Sequence, residues 1–149
     1  MSGRRVDVFF YGSYINFDVL NEAGIYERPF QAARLPGYRL EIAPLANLVP
    51  DDGSQAFGIL TRLTHLELDR LYLGHAREKL GGTYLPEAVL VSNIENRLMP
   101  ALCYISHDME WSDADPAYVN RIARPAREYG FPADYVEYIE SFKQEAFAL

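Results

Sequence analysis

The 149-residue sequence contains a single cysteine, Cys103. A disulfide within the chain is therefore excluded, and so is a zinc site built on several thiolates. Histidines are scarce too. His65 and His75 sit on one stretch of helical pattern, about 15 Å apart along its axis, and His107 stands alone, so no metal site is expected. Basic clusters are missing beyond Arg4-Arg5. With 14 basic against 21 acidic residues and a net charge of −7, binding to nucleic-acid phosphates is not expected. The apolar run Val6–Tyr11 ends at Gly12 and is too short for a signal segment or a membrane span. G-x-G-x-x-G, the Walker A loop and H-E-x-x-H are all absent, so no nucleotide or metal cofactor is expected. Ser13, in Tyr-Gly-Ser-Tyr-Ile, lacks the second glycine of a nucleophile elbow. The lone thiol fits a reducing cytoplasmic setting, and Cys103 reads as a buried small hydrophobe in a strand.

Aromatics, by contrast, are abundant, with 11 tyrosines and 8 phenylalanines. They point either to a tight aromatic core or to an aromatic-lined pocket. Length and composition fit one globular domain over residues 1–149. Val6–Tyr11 reads as a buried strand, and Asn16–Ala23 as a short helix capped by Asn16 and stopped by Gly24. Phe30–Leu35 and Tyr38–Ala43 read as two strands divided by a Pro36-Gly37 turn. Ala46–Ser54 has the composition of a loop. Gln55–Leu63 is a strand in which Gly58 allows close backbone approach. Thr64–Lys79 is the clearest helix, opened by a Thr64/Glu67 capping box and closed by Gly81-Gly82. Strands Tyr84–Val91 and Met99–Ser106 follow. A helix then starts at Asp115-Pro116, with Pro125 expected to kink or divide it, and a last helix spans Ala133–Ala146. Strands joined by short turns, followed by helices, indicate an α+β fold. The expected form is a mostly antiparallel curled sheet or small barrel with flanking helices.

Two places carry candidate chemistry. In Tyr11-Gly12-Ser13-Tyr14-Ile15 a glycine follows a buried strand and lets the backbone turn, so that the next amides face one concavity. Such amides hold an anion or oxyanion; the other reading is a plain turn. On a helix wheel of about 100° per residue, Glu78 falls in the same arc as Leu68, Leu71, Tyr72 and His75. A carboxylate on that face, in the last helical turn, is expected to titrate high, because desolvation and the negative helix end both disfavour its charge. That suits a general base. The other reading is a surface glutamate between Arg77 and Lys79.

Taken together these segments resemble the γ-glutamylcyclotransferase superfamily. Val8–Ser13 is similar to that family's opening strand and Tyr-Gly-Ser loop. Leu35–Leu40 resembles its following strand pair, and Ala46–Pro50 with Ala56–Leu60 resembles its loop and central strand. Arg77-Glu78-Lys79-Leu80-Gly81-Gly82-Thr83-Tyr84 resembles the Arg-Glu…Gly-Gly-Tyr segment of the glutathione-specific branch. Tyr118–Tyr135 resembles the C-terminal helices of the other branch. The resemblance implies a γ-glutamylcyclotransferase-like domain that turns a γ-glutamyl small molecule into 5-oxoproline and a free amine, without metal or cofactor. It assigns Glu78 as the acid/base residue, Tyr11, Gly12, Ser13, Tyr14 and Ile15 as the substrate-holding backbone, and Tyr84 and Tyr118 as pocket lining. Neither a nucleic-acid nor a membrane partner is implied, and the chain would act as a monomer or homodimer. Two positions depart from the family pattern. Tyr14 replaces a smaller residue after Tyr-Gly-Ser. Tyr72 stands three residues after Leu68-Asp69, where one branch carries its glutamate. The alternatives are a member of the fold that binds a small ligand without turnover, a relative acting on a γ-glutamylated pathway intermediate, or a plain interaction module.

Overall fold

The computed structural model describes residues 3–143. Strand β1, Arg5–Phe10, is built from the β-branched and aromatic run, and its last three residues are buried. The chain then tightens into a 3-10 turn, Ser13–Ile15. Asn16 caps the following helix α1, Phe17–Glu22, by accepting from the Asp18 amide at 2.9 Å. Gly24, with φ +80°, takes the left-handed conformation after it.

The segment divided by Pro36-Gly37 is one strand, β2, Gln31–Ile42, and not two strands around a turn. The expected loop Ala46–Ser54 is the first half of a long strand, β3, Ala46–Thr64. The two corrections have one cause. β2 and β3 pair antiparallel along their whole length, from Ile42↔Ala46 through Leu40↔Leu48 to Gln31↔Leu60, and the register slips between Pro36 and Tyr38. The extra residues lie on β3, where Asp51–Ser54 stand opposite Gly37 alone, at φ +88°, so the slip is a bulge in a continuous pair and not a reversal of the chain. Ala46–Pro50 pair in the ladder, whereas Asp51–Ser54 bulge out of it and are held by side chains: Asp51 accepts from Arg39 at 2.8 Å and from Ser54 Oγ at 2.8 Å.

Thr64 and Glu67 form the expected capping box at the start of α2, His65–Asp69. From Arg70 to Leu80 the same helix is wound as a π-helix, closing on the fifth residue and not the fourth. Gly81, at φ +79°, ends it. Strands β4, Leu85–Ser92, and β5, Leu98–Ile105, pair antiparallel. Helix α3, Pro116–Glu128, opens on Asp115, whose side chain accepts from the Ala117 amide. Pro125 lies inside α3 without dividing it. A proline frees the carbonyl four residues back, here that of Arg121, and Asn16 Nδ2 donates to that oxygen at 3.0 Å. Helix α4 is Ala133–Ser141; the rest of the expected last helix lies outside the described residues.

The strands close into a barrel in the order β1-β3-β2-β4-β5, with β1 and β5 parallel and the other pairs antiparallel. The expected α+β barrel with flanking helices is thus present. Its core is apolar, centred on Phe9, Phe10, Ile15, Leu20, Leu40, Ile59, Leu63 and Leu71, all essentially fully buried. Gly58 serves the close approach expected of it: a Cβ there would stand 2.0 Å from the Phe10 carbonyl oxygen.

Candidate functional site

The C-terminal ends of the parallel strands β1 and β5 and the N-terminal end of β3 meet at one mouth of the barrel. The π-helical segment, Tyr84 and α3 close over that mouth. Between them lies a cavity with about 30 Å³ of free space.

Six tyrosines line the cavity: Tyr11, Tyr14, Tyr72, Tyr84, Tyr104 and Tyr118. Gly12, Ser13, Phe10, Ala46, Ala76 and Leu80 complete its wall. Gly12 is required by packing, since a Cβ would come 2.5 Å from the Ala46 Cβ. Tyr11 Oη donates to the Tyr104 carbonyl at 2.6 Å, and Tyr84 Oη to the Ala46 carbonyl at 2.6 Å. Tyr118 Oη accepts from the Ala46 amide at 3.0 Å, with the Ser13 hydroxyl beside it. Tyr14 Oη lies 3.3 Å from the Leu71 carbonyl, to which it donates, and 2.9 Å from His75 Nδ1. His75 is buried, and its Nε2 is 3.6 Å from Glu22 Oε1. Arg121, one turn after Tyr118, holds Glu22 from the other side. This chain of contacts ties the Tyr-Gly-Ser loop to the π-helix, α1 and α3.

Tyr72 stacks on Tyr104 with ring centroids 3.8 Å apart and planes 7° from parallel, and it meets Tyr14 edge-on. Its hydroxyl has no hydrogen-bond partner among the described residues. Burial pushes the phenols of Tyr11, Tyr72 and Tyr84 well above their ordinary pKa, and neighbouring phenolates would add repulsion. All three therefore stay protonated across the physiological range. Burial likewise pushes up the thiol of Cys103, which is wholly buried in β5 as its strand pattern implied.

The expected positions divide into two groups. Tyr11, Gly12, Ser13, Tyr14, Tyr84 and Tyr118 come together on the cavity wall. Ile15 does not: it is fully buried in the core, and its carbonyl accepts from Tyr129 Oη at 2.8 Å. Glu78 does not either. It is exposed, between exposed Arg77 and Lys79, and is absent from the cavity wall. The wheel that placed it inside assumed α-helical winding. With the wider π-turn, Tyr72, Ala76 and Leu80 succeed one another along the cavity, and Glu78 falls on the opposite side. Tyr72, Tyr104 and Ala46 are wall residues that sequence reasoning did not assign to the site. Tyr72 was visible as a departure from the family pattern; Tyr104 is a half-buried residue of β5 whose carbonyl accepts from Tyr11 Oη, a relation only the β1–β5 pairing creates. Among the described residues no group of three or more potential metal ligands is present, and no helix is long and apolar enough to cross a membrane.

Comparison with solved structures places this architecture. The structure of a protein from Homo sapiens, described as uncharacterized, superposes with a TM-score of 0.76 at 19% identity, over 92% of this chain and 87% of that one. A γ-glutamyl cyclotransferase superposes with a TM-score of 0.75 at 19% identity, over 93% of this chain and 88% of its own. The chain has the γ-glutamylcyclotransferase-like fold. YkqA from Bacillus subtilis shares it at 27% identity and a TM-score of 0.73, over 98% of this chain and 55% of YkqA. No protein-family model and no curated protein matches the chain. The wall of this cavity carries six phenols and no carboxylate.

Proposed function

We propose that the chain binds a compact small molecule of the γ-glutamyl or 5-oxoproline class in the tyrosine-lined cavity, without carboxylate-driven turnover there. The carrying observation is the wall itself: Tyr72 faces the cavity on the helix that follows β3, and no Asp or Glu lines it. Cyclisation of a γ-glutamyl group requires a base to take a proton from the α-ammonium and return it to the leaving amine. Phenols held above their ordinary pKa are poor bases near neutral pH. The Tyr11–Tyr14 turn supports the binding half of the reading. As the first residues of a 3-10 turn, Ser13 and Tyr14 have no acceptor within the turn for their N–H groups, which suits an oxygen-bearing ligand.

A second reading, cyclotransferase activity with Glu78 as the acid/base residue, is supported by the Arg77-Glu78…Gly81-Gly82…Tyr84 segment and requires Arg70–Leu80 to give up its π-winding. Rewinding that segment as an α-helix would turn Glu78 toward the arc of Tyr72 and His75. One experiment separates the two. The protein is incubated with glutathione, glutamine and 5-oxoproline, binding is followed by titration calorimetry, and 5-oxoproline production by mass spectrometry. The expected outcome is binding of a member of this set with no 5-oxoproline formed. Turnover that Glu78→Gln abolishes, with an unchanged melting temperature, would establish the second reading. Binding of none of the compounds would overturn both.

A further inference from the structure

Tyr11 and Tyr84 each give their proton to a backbone carbonyl at 2.6 Å, which leaves their oxygens as acceptors toward the cavity. The Tyr14 proton has two outlets instead. Its Oη lies 3.3 Å from the Leu71 carbonyl, long for an O–H···O bond, and 2.9 Å from His75 Nδ1. The Tyr14 oxygen belongs to the same set as its neighbours: its phenolate would repel those of Tyr72, Tyr84 and Tyr118, so the four oxygens surround one space. What Tyr14 offers a ligand therefore depends on His75.

His75 is buried, and its Nε2 faces Glu22 Oε1 at 3.6 Å. The Arg121 hydrogen bond keeps the Glu22 carboxyl below its ordinary range, and His75 adds to the effect. An ionised carboxylate only accepts, so the proton of a neutral His75 sits on Nε2 and Nδ1 is bare. Nδ1 then takes the Tyr14 proton, and the Tyr14 oxygen is left as an acceptor. A protonated His75 donates from both nitrogens. Its Nδ1–H occupies the Tyr14 oxygen, the phenol proton passes to the Leu71 carbonyl, and a positive charge stands behind the wall. The groups around His75 are Tyr14 from the turn, Glu22 from α1 with Arg121 of α3 behind it, and Tyr72 of its own helix beyond Tyr14. Among the described residues no other charged side chain bonds to it.

We propose that His75 determines the specificity of the cavity: neutral, it makes Tyr14 an acceptor for a ligand N–H or ammonium; protonated, it takes that acceptor away and favours an anionic ligand end. The proposal rests on the reading of the cavity as a ligand site and adds a positioning residue that stands behind its wall. Glu22 acts one step further out, as the group that selects the tautomer.

The test reads the proton first and the ligand second. His65 and His107 are exposed, so the imidazole signals of buried His75 are separable in nitrogen-correlated NMR of the unaltered protein. At about pH 7.5 the neutral ring is expected as the Nε2–H tautomer with a hydrogen-bonded Nδ1. Titration calorimetry then compares 5-oxoproline, which has a carboxylate and no ammonium, with L-glutamine, which has both. The comparison is made at about pH 7.5 and about pH 5.5, a range in which histidines change charge and neither compound does. The ratio of 5-oxoproline to glutamine affinity is expected to rise about fivefold at the lower pH, the worth of one hydrogen bond. His75→Asn keeps an amide near the Nδ1 position but cannot titrate, so its ratio is expected to stay constant. An Nδ1–H tautomer, a constant ratio in the unaltered protein, or the same rise in His75→Asn would overturn the proposal and leave the ligand-site reading standing. If His75→Asn does not fold, the tautomer and the ratio of the unaltered protein decide alone. Binding of neither compound at either pH would overturn that reading and the proposal with it.

Discussion

Asn16 illustrates how much of this site depends on single side chains that touch no ligand. Its Oδ1 caps α1 and its Nδ2 bonds the Arg121 carbonyl that Pro125 leaves free. One residue thus anchors the end of the Tyr-Gly-Ser turn to two helices. Replacing it with alanine removes a cap and leaves a buried carbonyl unpaired, each worth about 1 kcal/mol. Asn16→Ala is expected to lose about 2 kcal/mol of stability in chemical denaturation. Asn16→Asp is expected to recover the capping part only, because a carboxylate accepts from the Asp18 amide but cannot donate to Arg121. An Asn16→Asp variant as stable as the unaltered protein would show that the bond to Arg121 contributes nothing.

Among the elements, β3 is the one on which the barrel turns, since it pairs with both β1 and β2. Its contact with β1 is tightest at Gly58. A methyl group 2.0 Å from the Phe10 carbonyl oxygen and 2.9 Å from the Phe9 ring has backbone on one side and a packed aromatic on the other, so neither neighbour yields easily. Gly58→Ala is expected to destabilise by about 3 kcal/mol, the upper range for overpacking. Because Phe10 lies on the cavity wall, ligand affinity is expected to fall in the same variant. A melting curve matching the unaltered protein would refute the close approach. The π-wound segment after α2 shows the same dependence on context. Its sequence reads as an ordinary amphipathic helix, and only its packing against Tyr14 and Tyr104 decides which side chains turn inward.

At the scale of the molecule, closing the barrel requires the Tyr26–Phe30 connection to cross from α1 to β2, and one ion pair pins it. Arg28 grips Glu67 through two bonds, at 3.0 and 2.9 Å, and also donates to the Arg62 carbonyl. Glu67 in turn accepts from the Thr64 amide. The Arg28 hydrogen bond, with the Thr64 amide adding to it against the opposing cost of burial, holds the Glu67 carboxyl down at about 2, below its ordinary 4.5. A depressed folded-state pKa contributes stability that is fully present above the unfolded value and is lost as pH falls. The stability difference between the unaltered protein and Glu67→Gln is therefore expected to be about 1–2 kcal/mol at neutral pH. It is expected to shrink between pH 4.5 and 2 as the carboxyl protonates. A difference independent of pH over that window would remove the ion pair from the account.

Local chemistry was legible from the residues alone wherever a short segment decides its own conformation. The Asn16 cap, the Thr64/Glu67 box, the Asp115-Pro116 helix start, the left-handed Gly24 and Gly81 and the close approach at Gly58 all appear where the pattern placed them. The gathering of Tyr11, Gly12, Ser13, Tyr14, Tyr84 and Tyr118 was legible as well, through the order of motifs. Three things were decided by tertiary structure. Pro36-Gly37 stays within a strand and Ala46–Pro50 joins one because each lies against the other's ladder, with Asp51–Ser54 bulging between the two paired stretches; pairing outweighs turn composition when the partner strand is long enough. Glu78 faces solvent because the helix is wound on a wider period than the one a sequence projection assumes. Tyr72 and Tyr104 became neighbours because β1 and β5 close the barrel side by side, and contacts between residues so distant in the chain are set by strand order, which no local pattern encodes.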